Sequence, residues 1–323
     1  MMSLRRLAPA VVLAFLTCTP TVSHAEDYPT RPVRIIVGFG PGAANDITAR
    51  LLAPHLSQTL GQPFIVENRA GGASNIAASA VARSEKDGHT LFMCTSTNVT
   101  NAVLGKTSGY DFMEDLTPIT VTSRTTLLLV VNPSLGVSSV KELIALAQSE
   151  QKPLFFGTSG VGGTMHLTGE LFNMRTGSKI VHVPYQSTAA AMTDLIAGRL
   201  QLMFSPASTA LPFIESGQVK ALAVVAPARM ASVPDLPTMQ ELGFSNFDSG
   251  LWDCLMTPKG TPRSTIEKLS SAVNAALQNP EVIATIKRQG GGPGGGSLED
   301  TGRLVETEFK KWHAVAAALG LAK

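Results

Sequence analysis

Two glycine-rich turns carry the chemistry this chain can do. In VRIIVGFGPGAANDITARLL, residues 33–52, a β-branched run passes through Gly38-Phe39-Gly40-Pro41-Gly42 straight into a helical pattern. Glycines at a strand-to-helix turn let a backbone approach a ligand closely. The helix behind them offers unpaired N–H groups and about half a positive charge, a setting for an anion. Phe39, Pro41, Gly42, Ala43, Asn45 and Asp46 form the candidate set here; the structural alternative is a tight turn with Asn45 or Asp46 capping the helix. Asp46 and Arg50, spaced i,i+4, are expected to pair on the helix surface. The second turn, in LFFGTSGVGGTMHLTGELF (154–172), repeats the logic and offers Ser159, Gly160, Gly162 and Thr164.

Other chemistries are imitated and then denied. Gly38, Gly40 and Ala43 satisfy G-x-G-x-x-A, and Glu67 ends the next strand, as in a dinucleotide fold. Yet Pro41 has no N–H to give a pyrophosphate, and Asp46 would repel one. Ser159 suggests a hydrolase elbow, but Val161 stands where G-x-S-x-G needs its second glycine. His166 and Glu170 share a helical face without a third metal ligand, so His166 is read as capping and packing. No triad, paired carboxylates or metal spacing stands out among the six histidines. Binding without catalysis, cofactor or metal is the economical reading.

The elements that position these turns alternate. Strands are expected at 33–37, 64–66, 90–94, 126–131, 154–156, 180–183, 200–204, 219–225 and 251–256. Helices are expected at 43–60, 74–83, 139–149, 164–175, 187–197, 208–216, 263–278, 281–288 and 298–319. This interleaving implies an α/β fold with parallel sheets and right-handed crossovers. So many strands favour two lobes over one very wide sheet, with the chain crossing near TLLLVV and returning near LWDCLM. Such sheets bind ligands beyond the carboxyl ends of their strands, which adds Ser96, Thr97, Gln186 and Ser205. Residues 290–296, GGGPGGG, read as a mobile loop between helices.

Arg5 and Arg6 precede an apolar run of about ten residues, against the roughly 20 a membrane span needs. Ser23-His24-Ala25 follows, so residues 1–25 read as a cleavable signal peptide and the mature chain as exported. Cleavage there leaves 24 basic residues against 24 acidic ones. That balance gives no footprint for nucleic acid or anionic lipid. Cys94 and Cys254 would remain, each inside an apolar strand; export makes a disulfide between them possible, and buried free thiols are the plainer reading.

The chain resembles the Bug receptors, the periplasmic substrate-binding subunits of tripartite tricarboxylate transporters. The likeness runs through YPTRPVRIIVGF, QPFIVENRAGGASNI, VVNPSLGVSSVKELIALA, GTSGVGGTMHLTGELF, HVPYQSTAAAMTDLIAGRLQLMF and LWDCLMTPKGTP. It implies a type II periplasmic-binding-protein fold: two α/β lobes joined by two crossover strands, with a ligand cleft between them. The lobes are expected at 26–126 with 249–323, and at 127–248. It also implies carboxylate recognition by Phe39, Pro41, Gly42 and Ala43 in one lobe and Ser159, Gly160, Gly162 and Thr164 in the other. The partners implied are a small organic anion and either the membrane subunits of a transporter or a membrane sensor, with the receptor a monomer. The sequence departs from the family at Gly38, where proline is usual, at Ala43, a usual glycine, and at Ser205, a common aspartate. Asp253 and Cys254 are atypical as well.

Overall fold

In a computed structural model the described residues are 28–107, 109–149, 152–245, 247–288 and 291–322. The expected signal peptide lies outside them. The first sheet takes β1 (Val33–Val37), β2 (Phe64–Asn68), β3 (Thr90–Thr95) and β4 (Leu116–Thr125). Between them run α1 (Ala44–Leu60), α2 (Asn75–Ala82), α3 (Ser96–Val103) and the single turn α4 (Phe112–Asp115). The second sheet takes β5 (Leu127–Val131), β6 (Phe155–Thr158), β7 (Val181–Pro184), β8 (Leu202–Pro206) and β9 (Lys220–Val225). Its helices are α5 (Val140–Gln148), α6 (Thr164–Thr176), α7 (Thr188–Ile196) and α8 (Ala207–Glu215). The chain then returns to the first sheet as β10 (Leu251–Pro258), α9 (Arg263–Ala276), α10 (Pro280–Arg288), β11 (Gly291–Pro293) and α11 (Leu298–Ala318).

Strand orders are β11-β4-β10-β3-β1-β2 and β7-β6-β8-β5-β9. Both sheets are mixed, which corrects the expectation of parallel sheets. β10 runs antiparallel to β3 and β4, and β5 antiparallel to β8 and β9. The reversed strands follow the two passages between lobes, where the chain enters a sheet from its opposite end. Thr126 alone separates β4 from β5. β5 is buried throughout, because Leu127, Leu129 and Val131 enter one apolar cluster while Leu128 and Val130 enter another.

Two further strands escaped the sequence pattern. β4 carries Pro118 and alternates threonines with aliphatics; its proline sits where the register with β10 shifts, a place a sheet tolerates proline. β11 corrects the reading of residues 290–296 as a mobile loop. Gly291–Pro293 pairs with β4 at the sheet edge, and the Gly294 and Gly295 amides donate to Thr122 and Val121. A Cβ on Gly294 would lie 2.2 Å from the Val121 carbonyl oxygen, and one on Gly291 2.7 Å from that of Arg124. These glycines serve close approach, not flexibility.

The largest apolar cluster runs through both lobes and takes in Val305, Trp312 and Val315 of α11. That helix buries a stripe at i, i+4 and i+7 spacing and packs on α3, β4 and α6. Cys94 and Cys254 are register partners on β3 and β10, buried and unbonded. Next to them Asp253 accepts the Ser123 hydroxyl at 2.8 Å, and burial pushes its carboxyl up to about 6.

Candidate ligand-binding site

The turn after β1 is built to stay open. Gly38 lies so close to Ser74 that a Cβ would come 1.9 Å from its hydroxyl oxygen, so this turn requires glycine there. Gly42 adopts φ +85°. Asp46 fixes the turn from behind. Its carboxylate accepts the Gly42 amide at 2.9 Å, Asn68 Nδ2 at 2.8 Å and Arg50 Nε at 3.0 Å. Burial alone would raise the Asp46 pKa; those donors and the Arg50 charge outweigh it and hold the carboxyl below its usual range. The pairing with Arg50 is present, but the carboxylate is buried rather than on the helix surface. Asn45 is buried too, its Oδ1 taken by the Asp46 amide. Asn68 also donates to the Phe39 carbonyl at 3.0 Å, leaving the Phe39 residue on the wall of the space between the lobes.

Opposite, the turn between β6 and α6 is held by two imidazoles. The Thr158 hydroxyl gives its proton to the Gly160 carbonyl at 2.8 Å and therefore accepts from His182 Nε2 at 2.7 Å. His166 Nδ1 accepts the Gly162 amide at 3.0 Å, which makes this ring a neutral anchor for the turn. The two rings pack against each other at a tilt of 35° with centroids 3.9 Å apart. Burial, then the Lys106 charge, lowers the His166 pKa to about 4; burial, then His166 itself, does the same for His182. This leaves Ser159 exposed and Gly160 at φ +127°, both on the cleft wall.

The two lobes meet where two helices begin. Ser96 opens α3 and Thr164 opens α6, and Thr164 donates to the Ser96 hydroxyl at 3.2 Å. Both N-termini, each worth about half a positive charge, thus converge on one interlobe cavity of about 1020 Å³. Thr97 and Thr164 line it at that junction. On the first-lobe side lie Ala73 and Asn75 of a third glycine turn, with Ala73 and Ser74 both at left-handed φ. Asn101 Nδ2 binds the Ala73 carbonyl at 2.9 Å, and Tyr110 donates to Asn75 Oδ1 at 2.8 Å. Ile76 and Val161, 55% and 61% exposed, add apolar surface to the cavity wall. Among the described residues its charged lining consists of Arg83 and Lys106, with no carboxylate.

The sequence profile of the tripartite tricarboxylate transporter family receptor, TctC, matches residues 48–321. Protein BugT of Bordetella pertussis is 35% identical over 92% of this chain and 91% of its own. The chain belongs to the TctC receptor family. Solved relatives agree in fold. An R. palustris protein with adipate is 38% identical at a TM-score of 0.76, covering 92% of this chain and 99% of that one. MatC from Rhodopseudomonas palustris, with bound malate, is 29% identical at a TM-score of 0.73, covering 89% and 99%.

Within this TctC receptor, a periplasmic solute-binding protein by family, Phe39, Thr97, Ser159, Gly160 and Thr164 come together on the cavity wall. The other residues singled out from the sequence sit elsewhere. Pro41, Gly42 and Ala43 lie off that wall, and Asn45 and Asp46 turn inward. Ser96 is buried beneath Thr164, and Gly162 packs under Leu104 and Lys106. Gln186 is exposed two residues before Thr188, which does line the cavity; Ser205 is fully buried, and its neighbour Pro206 reaches the wall. Missed altogether were Ala73, Asn75, Ile76, Arg83 and Lys106. The turn AGGASN had a usable signal, because it repeats the strand–glycine–helix pattern of the other two. Lys106 had none, standing beyond the end of a short helix.

Proposed function

We propose that this receptor captures a small carboxylate between its lobes and hands it to the membrane subunits of a tripartite tricarboxylate transporter. The observation that supports the reading is the convergence of the α3 and α6 N-termini on a cavity whose charged lining is wholly cationic. A carboxylate there exchanges water for amide, hydroxyl and ammonium donors. Each charge-assisted bond contributes about 1.5–3 kcal/mol, so four or five support micromolar binding, about 8 kcal/mol, after ordering costs. The boundary at Thr126 and the return at 249–251 serve as the hinge, with 26–126 and 249–323 as one jaw and 127–248 as the other. Residues 1–25 direct export and are removed.

The receptor performs no catalysis in this reading. Ser159 lacks a base, since His166 Nδ1 is committed to Gly162 and His182 Nε2 to Thr158. Calorimetry of the chain lacking residues 1–25 against a panel of organic acids, sugars and amines tests the proposal. Saturable binding of a carboxylate, abolished by Ser159→Glu in a folded protein, is the expected result. Binding of sugars or amines alone, or unchanged carboxylate affinity in Ser159→Glu, overturns it.

A further inference from the structure

The chain has three cysteines, and one of them, Cys18, falls in the expected signal peptide. Removal of residues 1–25 leaves Cys94 and Cys254, so each has a single candidate partner within the chain. The fold sets the two face to face. They are register partners across the antiparallel pair β3–β10, and both side chains enter the same apolar cluster. Directly opposed residues of such a pair stand about 4.5–5.5 Å apart at Cα, inside the about 4.4–6.8 Å that a disulfide spans. The register therefore meets the span of the bond as it stands. Both thiols are fully buried. Burial first, then the neighbouring Cys254 thiol, pushes the Cys94 thiol well above its usual range. Exchange needs a thiolate and access to it, so the folded dithiol is slow to react, and a bond made earlier is equally shielded from reductants.

We propose that Cys94 and Cys254 are joined by an intramolecular disulfide in the exported protein, installed during folding before β3 and β10 are enclosed. The reaction is thiol–disulfide exchange with a thiol oxidoreductase in its disulfide form. One cysteine thiolate attacks that disulfide, forms a mixed disulfide and releases one enzyme thiolate. The other cysteine thiolate then attacks the bonded cysteine sulfur, the Cys94–Cys254 bond forms, and the enzyme leaves as a dithiol. Two protons and two electrons pass from the cysteine pair to the enzyme. The chain between the two cysteines includes every element of the second lobe, β5 to β9. The bond thus closes a very long loop at the base of that lobe, where a cross-link constrains the unfolded chain most. It also ties two parts of the site's frame. β3 runs through Thr95 straight into α3, whose start faces the cleft, and β10 receives the chain returning from the second lobe. The alternative is a pair of inert thiols, with Cys94 donating to the Thr95 carbonyl at 3.4 Å.

The test starts from the full chain expressed with its own leader, recovered from the periplasm and treated with an alkylating agent in denaturant without reductant. The expected result is an unalkylated protein whose mass lies two hydrogens below that of the dithiol, with a proteolytic fragment linking Cys94 to Cys254. The chain lacking residues 1–25, made in a reducing cytoplasm, should instead take an alkyl group on each cysteine. The exported protein should melt about 5 °C or more above its reduced form, and Cys94→Ala/Cys254→Ala should melt with the reduced form and ignore reductant. The mass measurement on the natural sequence decides the question even where the double variant fails to fold. Two alkylated thiols in the exported protein overturn the proposal, as does a disulfide to a second copy of the chain. A Tm unmoved by reduction of the linked protein overturns its role as a staple.

Discussion

Acidification should weaken this receptor through its two buried imidazoles, His166 and His182. His166 is 6% exposed, and its Nδ1 must stay unprotonated to accept the Gly162 amide. Its pKa falls from 6.5 to about 4 because burial, then the nearby Lys106 ammonium, disfavour the cation. Glu170 Oε1 lies 3.7 Å from Nε2, too far for a hydrogen bond, and its own carboxyl is raised by burial. His182, packed on the same ring, is lowered as well, so both neighbours leave His166 neutral. A depressed folded pKa means the unfolded chain takes the proton first. Stability is therefore full above about pH 6.5 and is lost as pH falls toward about 4. Between pH 7 and about 5.5 the unfolded chain gains about 1.4 kcal/mol from this one group. For a chain of this length that corresponds to a fall in Tm of about 2 °C. The assay is thermal unfolding of wild type and His166→Asn, whose amide oxygen can accept the Gly162 N–H without titrating. The variant should lose about half of the imidazole-linked pH dependence, with His182 keeping its share and Asp253, raised to about 6, acting in the opposite sense in both proteins. Equal slopes in the two proteins would refute the assignment.

Two further outcomes separate scaffold from site. Asp46→Asn removes the charge and sets an amide NH2 against two of the three donors, and should cost about 2–3 kcal/mol in chemical denaturation. Ligand affinity should fall with it, although the side chain lies off the cavity wall. Gly294→Ala forces a methyl against the Val121 carbonyl and should cost about 2 kcal/mol or more. Gly292→Ala meets nothing within 4 Å and should stay within about 0.5 kcal/mol, with ligand affinity unchanged in both variants.

Much of the fold was legible because its helices and most of its strands announce themselves locally. TLLLVV reads as doubly buried, and it is. Strand direction was not legible: β10 contributes the same apolar run whether it enters parallel or antiparallel, and only the return from the second lobe fixes its sense. GGGPGGG misled for a related reason. Glycine signals flexibility when considered alone, but here the requirement comes from the carbonyls of β4, far away in sequence. At the site, backbone turns were readable from strand–glycine–helix patterns, whereas side-chain direction was not. Asp46 and Ser205 stand at strand-end or helix-start positions suited to ligand contact, and tertiary packing turns both inward.

Lys106 and Arg83 show why composition hides the cleft's electrostatics. The chain carries 26 basic and 24 acidic residues, a balance that predicts no field. On the outer surface that balance is enacted pair by pair: Arg31 with Glu85 and Asp87, Arg199 with Asp194, Arg229 with Glu241, and Arg263 with Glu267 and Glu299. Each such pair adds little stability, but together they cancel the exterior charge. Among the described residues the two cleft cations have no such partners, so their charge stands uncompensated at the cavity. Beyond about 8 Å at physiological ionic strength that excess is screened. An anion therefore gains little steering on approach and most of its attraction once inside, where water is displaced.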